Sequence, residues 1–161
     1  MRAAERVFVG LGANLGDARA TLTTAAKSLA TLPHTQLVKL SPIWRSAPVN
    51  ATGPDFFNAV AELRTALEPE VLLRHLHGLE EEHGRQRPYA NAPRTLDLDL
   101  LLFGARVLNT PTLTLPHPRL HQRAFVLLPL LHLAPDLQHP VIGNLRPCVE
   151  AAAGQQVQVL P

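Results

Sequence analysis

Asp97 and Asp99 are the residues best suited to chemistry, and their spacing says what chemistry. They stand in Pro93-Arg94-Thr95-Leu96-Asp97-Leu98-Asp99-Leu100-Leu101-Leu102-Phe103, which predicts a strand over 95–103. Alternate side chains of a strand share a face, so Leu96, Leu98, Leu100 and Leu102 are expected to face the core. Thr95, Asp97, Asp99 and Leu101 then face the other way. At about 3.3 Å per residue the two carboxylates sit roughly 6–7 Å apart on one face. Aspartate is disfavoured in strands, and adjacent like charges repel. A cation removes both objections. Oxygen ligands with no His or Cys beside them suit a hard cation, and Mg²⁺ is the usual one near phosphates. The competing reading is a strand whose acids simply face water. Arg94, just outside the strand, favours a polyphosphate whose negative charge is shared by metal and guanidinium.

Other segments offer groups of the same kind. Arg85 and Arg87 stand in a Pro/Gly-containing loop, where cations can close over a bound nucleotide. His117 lies in Leu115-Pro116-His117-Pro118-Arg119-Leu120, followed by Arg123 and Phe125. A histidine between prolines and near arginines can donate hydrogen bonds to phosphate. Phe56, Phe125 and Asn58 could stack on a flat heteroaromatic ligand and read its edge. The run Gly10-Leu11-Gly12-Ala13-Asn14-Leu15-Gly16-Asp17 does not fit a dinucleotide fingerprint, because its third glycine falls one residue late. Those glycines are expected to form a tight turn. No GxxxxGK[ST] is present, so ATP use would not be of the P-loop kind.

The elements that must hold these groups follow from pattern. Arg6–Leu11 predicts a strand, and Asp17 an N-cap for a helix to about Leu32. Leu37–Trp44 and Phe57–Thr65 predict two strands around the loop Ser46–Asp55. Pro69 opens a helix with stripe Leu72, Leu73, Leu76 and Leu79 that Gly84 ends. The order strand, helix, strand, strand, helix, strand predicts an α+β, ferredoxin-like βαββαβ core, an antiparallel sheet with helices packed on it. A C-terminal extension follows, with a short strand pair, a proline-broken helical stretch near Ala124–Leu133 and a tail with no firm assignment. Trp44 is read as core.

Bulk composition narrows the classes. The 161 residues suit one domain, expected over 1–161, and 46% hydrophobic with 17% charged residues argues for a packed core rather than disorder. Net charge is only +2, yet the segment 85–123 holds six arginines, no lysine and only Asp97 and Asp99 as acids. That reads as a basic patch around an acidic pair, or as general arginine preference, since the chain has 13 Arg against two Lys. One cysteine, Cys148, excludes a disulfide framework. Met1–Glu5 lacks the apolar stretch of a signal peptide, and no apolar run nears the roughly 20 residues of a membrane span. A cytoplasmic protein is expected.

Taken together the motifs are similar to those of the hydroxymethyldihydropterin pyrophosphokinase family. The resemblance runs through Gly12–Asp17, Ser41–Val49, Pro54–Ala59, Leu79-Glu80 through Gly84-Arg85, Pro93–Asp99, Pro116–Arg119 and Arg123-Ala124-Phe125. It implies transfer of pyrophosphate from ATP to the hydroxymethyl oxygen of 6-hydroxymethyl-7,8-dihydropterin, with AMP released, in folate biosynthesis. It further implies that Asp97 and Asp99 hold two Mg²⁺ ions. Arg85 and Arg94 would neutralise the transferring group, with Arg87 contributing from the loop. His117 and Arg123 would contact phosphates or ribose, and His77, Glu80, Leu100 and Thr114 the nucleotide side. Ser46, Ala47, Val49, Phe56, Asn58 and Phe125 correspond to the pterin pocket, where Phe56 and Phe125 would sandwich the ring. Asn91-Ala92 stands where many members have Trp-Gly, so closure through that tryptophan is not expected here.

Two other classes fit less well. An RNA-binding sheet needs exposed aromatics, and aromatics are 4% of this chain, with Asp97 and Asp99 on the central strand. A regulatory domain would bind ATP without releasing AMP. The expected partners are therefore the two small-molecule substrates, with no nucleic acid or membrane, and a monomer.

Overall fold

The computed structural model describes residues 3–14, 16–47, 54–84 and 96–160. The chain runs β1 (Glu5–Ala13), α1 (Ala18–Ala30), β2 (Thr35–Leu40), β3 (Trp44–Ser46), β4 (Phe56–Thr65), α2 (Pro69–Gly84) and β5 (Asp97–Phe103). The Asp17 carboxylate caps α1 by accepting from the Ala20 N–H at 3.1 Å. Pro69 is the first residue of α2, where its missing N–H costs nothing.

The sheet is antiparallel. β1 lies between β5 and β4, and β2 and β3 pair in succession along the far side of β4. The strand of Asp97 and Asp99, expected at the centre of the sheet, is therefore an edge strand that pairs only with β1 among the described residues. That is the strand order of the ferredoxin-like α+β core. The strand expected over 37–44 is two strands, because Pro42 lacks the N–H needed to continue a ladder. Ser41 spans the break: its N–H bonds the Val60 carbonyl and its hydroxyl accepts from the Val60 N–H, both at 2.9 Å.

Both faces of the sheet are covered, unequally. Val7, Val9 and Leu11 of β1, Ala61 and Leu63 of β4, and Leu98 and Leu100 of β5 join Leu22, Leu29, Leu72 and Leu76 of the helices in one core. The opposite face carries a second core built on Phe8, Val60, Leu101 and Leu102. The expectation that Leu102 shares the face of Leu96, Leu98 and Leu100 fails, for a physical reason. Phe8 pairs with Leu102 but Val9 with Leu100, so a bulge at Leu101 reverses the alternation. Leu101 and Leu102 both enter the second core, and Phe103 returns to the first.

The second core is roofed by α3 (Ala124–Leu133), which follows a short pair, β6 (Leu108–Asn109) and β7 (Thr114–Leu115), and a 3₁₀ turn at Leu120–Gln122. The proline break expected in this stretch does not occur: Pro129 lies inside an unbroken helix. Val126, Leu127, Leu130 and Leu133 are buried beneath it. At about 1.5–3 kcal/mol for each fully buried large side chain, their burial outweighs the ~3 kcal/mol that an internal proline costs. The tail is ordered too. A hairpin of β8 (Gln138–His139) and β9 (Gly143–Asn144) leads to α4 (Arg146–Ala151), and β10 (Val157–Val159) pairs antiparallel with β3. Among the described residues no helix is long and apolar enough to cross a membrane.

Candidate active site

The register of three strands creates a trough on the α3 side of the sheet. Gly12 lies between Asn58 of β4 and Asp97 of β5, and Gly10 lies between Val60 and Asp99. The tight turn expected of these glycines is therefore wrong for two of them, which sit inside β1; only Gly16, at φ +59°, takes a turn conformation. Alternate residues share a face, so the centre of the sheet here has bare backbone where side chains would stand. Adjacent strands are about 4.8 Å apart, which makes the floor roughly 10 Å wide from Asn58 to Asp97. An added Cβ at Gly12 would come within 3.3 Å of the Asn58 Oδ1.

Above this floor is a cavity of about 760 Å³, lined by Ser46, Ala47, Phe56, Asn58, Asp97, Asp99, Arg123 and Phe125 among others. The volume lies within the range of small-molecule sites. Five residues expected on the pterin side thus meet both aspartates and one expected phosphate contact in a single space. Asn58 is buried, and its Nδ2 donates to the Ser46 Oγ at 2.9 Å, which fixes the amide in the floor. Arg123 precedes α3 and Phe125 lies in its first turn, with the guanidinium 5.6 Å from the ring centroid. Asp97 and Asp99 are each half-buried.

The remaining expected residues lie around the rim or away from it. His117 accepts the Arg119 N–H at its Nδ1, 3.2 Å away, so the proton of the neutral ring is on Nε2. Burial holds this imidazole below the ordinary histidine range; Asp99 pulls the other way, while Arg123 and Arg119 reinforce the effect. Glu80 of α2 accepts the Leu98 N–H at 2.9 Å, gripping the outer edge of β5 beside the aspartates. The Leu100 side chain is buried in the first core, so it does not face the cavity. Its backbone groups point to the same outer edge as those of Leu98, two residues earlier. His77 and Thr114 are exposed, and neither lines the cavity. Trp44, read as core, is half-buried on β3 opposite Asn58. Arg85, Arg87, Arg94 and Val49 lie outside the described residues, as do Asn91 and Ala92. The basic patch is smaller than expected: Arg106 forms a two-pronged pair with Glu5 at 2.8 and 3.0 Å, at the other end of β1.

Several lining residues escaped the sequence reading. Gly10 and Gly12 had a signal, since glycines two apart in a strand mark a close approach of backbone to something else. Arg119 and Gln122 flank expected residues, and Gln155 comes from the tail, where nothing in the pattern pointed to a site. The fit to a metal can be judged from the donors. Among the described residues no cluster of three or more His, Cys, Asp or Glu forms a cage. Two half-buried carboxylates on one face instead suit a hard cation that completes its shell with water and phosphate oxygens, as Mg²⁺ does.

Known proteins resemble this chain along nearly all of it. A Pseudomonas aeruginosa 2-amino-4-hydroxy-6-hydroxymethyldihydropteridine pyrophosphokinase is 44% identical over 158 residues, covering 98% of each chain. A Haemophilus influenzae protein of the same name is 40% identical over 134 residues, 83% of this chain and 84% of its own. A Plasmodium falciparum HPPK-DHPS crystal structure superposes with a TM-score of 0.77 at 14% identity, covering 96% of this chain. This chain spans 46% of that longer one. The family description 7,8-dihydro-6-hydroxymethylpterin-pyrophosphokinase matches residues 8–135, a span that includes the glycine floor, the aspartate pair and the aromatic residues of α3 and β4, and the chain belongs to that family.

Proposed function

We propose that this chain transfers the pyrophosphoryl group of ATP to the hydroxymethyl oxygen of 6-hydroxymethyl-7,8-dihydropterin, releasing AMP, in folate biosynthesis. The observation that carries this reading is the side-chain-free floor between Asn58 and the Asp97–Asp99 pair. A flat bicyclic ring fits that floor with its edge toward the amide and its hydroxymethyl arm toward the carboxylates. Phe56 and Phe125 sandwich the ring, which is favourable for offset aromatic contacts. Ser46 holds the Asn58 amide so that Oδ1, turned toward Gly12, accepts from the amino edge of the pterin. Ala47 completes that end, and the family resemblance assigns Val49 to the same pocket.

The chemistry asks for alignment and charge neutralisation rather than a covalent nucleophile. The new bond joins the hydroxymethyl oxygen to the β-phosphorus as its proton passes to water, and the α–β bridge breaks with AMP as leaving group. Asp97 and Asp99 would hold Mg²⁺, two ions by family resemblance, which would offset triphosphate charge. Arg123, His117 through Nε2–H, and Arg85, Arg87 and Arg94 supply donors to phosphate oxygens. We assign the nucleotide to the outer edge of β5, where Leu100 takes part through its backbone and Glu80 holds the strand; His77 and Thr114 join it by family resemblance. The same reading treats 1–161 as one monomeric, cytoplasmic domain with no nucleic-acid or membrane partner.

The test is AMP release from ATP and Mg²⁺ with and without the pterin. AMP formed only with pterin supports the reaction; ATP binding without AMP release would overturn it.

A further inference from the structure

The family match ends at residue 135, yet one wall of the cavity comes from beyond it. Gln155 reaches back to the start of α3. Its Oε1 accepts the Ala124 N–H at 2.9 Å, and its Nε2 donates to the Gln122 carbonyl at 2.8 Å. These two peptide groups flank Arg123, the residue at the N-cap of α3, which makes no side-chain cap of its own. An N-cap ordinarily supplies an acceptor to the orphan N–H groups of the first turn. Arginine has only donors and cannot do so. A cation is also disfavoured at a helix N-terminus. Arg123 is therefore not at this position for the sake of the helix. The capping acceptor comes instead from 31 residues downstream, and the arginine side chain is left to enter the cavity.

The tail that carries Gln155 is itself fastened. The Gln155 N–H bonds the Ala152 carbonyl at 3.0 Å, and Val157 of β10 pairs with Ser46, a lining residue of β3. One short segment thus links the strand bearing Ser46 to the turn bearing Arg123 and Phe125. We infer that Gln155 is a positioning residue for pyrophosphoryl transfer: its amide clamps the 122–124 turn and so aims the Arg123 guanidinium and the Phe125 ring into the site. This rests on the roles proposed above for Arg123 and Phe125. Glutamine suits the task because one amide offers an acceptor and a donor together. Glutamate keeps only the acceptor, and methionine fills similar space with neither.

The test compares Gln155→Met and Gln155→Glu with Arg123→Ala and Phe125→Ala in the full chain. Binding of 6-hydroxymethylpterin is followed by quenching of Trp44, the only tryptophan, and binding of Mg²⁺–α,β-methylene-ATP by calorimetry. Gln155→Met should weaken pterin binding and raise the pterin KM about tenfold, the scale of losing two such hydrogen bonds. Its melting temperature should fall by only about 2–4 °C. Gln155→Glu, which still accepts from Ala124, should recover part of the pterin affinity, a split that a purely structural role would not produce. If both Gln155 variants bind like wild type while Arg123→Ala and Phe125→Ala weaken their ligands, the clamp is overturned and the site reading stands. If Arg123→Ala and Phe125→Ala also bind normally, the site reading fails and takes the clamp with it.

Discussion

Beneath α1 and α2 the sheet presents Val7, Val9, Leu11, Ala61, Leu63, Leu98 and Leu100, none more than 4% exposed. From the same three strands the other face presents Gly10, Gly12, Asn58, Val60, Asp97 and Asp99. Period-two alternation lets one strand serve both purposes, since each residue answers to only one face. The α3 face is itself divided. Near Phe8, Leu101 and Leu102 it is filled by the helix; near Gly12 and Asp97 it is open. The bulge at Leu101 marks the boundary. A site arises here because one helix covers only part of a sheet that would otherwise be sealed.

Substitutions on the two faces should separate activity from stability. The largest effect belongs to Asp97→Ala and Asp99→Ala, expected to cut AMP release by at least about 10²–10³-fold, as for loss of a main electrostatic contribution. Melting temperature should move little, because neither carboxylate lies in a packed core. Normal Mg²⁺-dependent turnover in either variant would break the assignment. Leu98→Ala, between the two aspartates in sequence, should do the reverse. Urea denaturation should report a loss of about 2–5 kcal/mol, with AMP release per folded molecule within a few-fold of wild type.

Gly12→Ala sharpens the comparison without charge. Its Cβ would crowd the Asn58 Oδ1 at 3.3 Å, whereas a Cβ at Gly10 makes an ordinary 3.5 Å contact with Leu101. Pterin affinity measured by calorimetry should fall several-fold for Gly12→Ala and less for Gly10→Ala. Gly10→Ala should not lower stability, since alanine costs less chain entropy than glycine, whereas Gly12→Ala must also displace the hydrogen-bonded Asn58 amide. Equal effects at the two positions would count against Asn58 as the edge reader.

The smallest effect lies away from both faces, at His139. Its buried ring accepts the Val141 and Ile142 N–H groups at Nδ1, 3.1 and 3.0 Å away. Burial first, and His121 second, push its pKa below the ordinary histidine value of 6.5. The unfolded chain then takes up a proton at higher pH than the folded one, so stability falls as pH drops below about 6.5. His139→Asn, which can accept the same N–H groups through Oδ1, should flatten that part of a stability–pH curve. An unchanged slope would remove His139 from the acid response.

Legibility followed the range of the interactions. The capping of α1 by Asp17, the start of α2 at Pro69 and the shared face of Asp97 and Asp99 depend on neighbours within a few residues, and each was readable. The Leu101 bulge, the division at Pro42 and the intact helix through Pro129 depend on partners elsewhere in the chain. Arg106 left the basic patch because Glu5, 101 residues away, lies across the fold.

Sequence by itself determined which residue types could do the chemistry and the α+β order that carries them, because alternation and capping are local rules. It also supplied the glycines, the amide and the carboxylate pair. Only the tertiary structure decided that Gly12 lies between Asn58 and Asp97, that α3 stops short of covering them, and that Gln155 reaches the turn before Ala124. Those depend on strand register and on a tail pairing with β3, and both are settled by burial and hydrogen bonding between segments far apart in the chain.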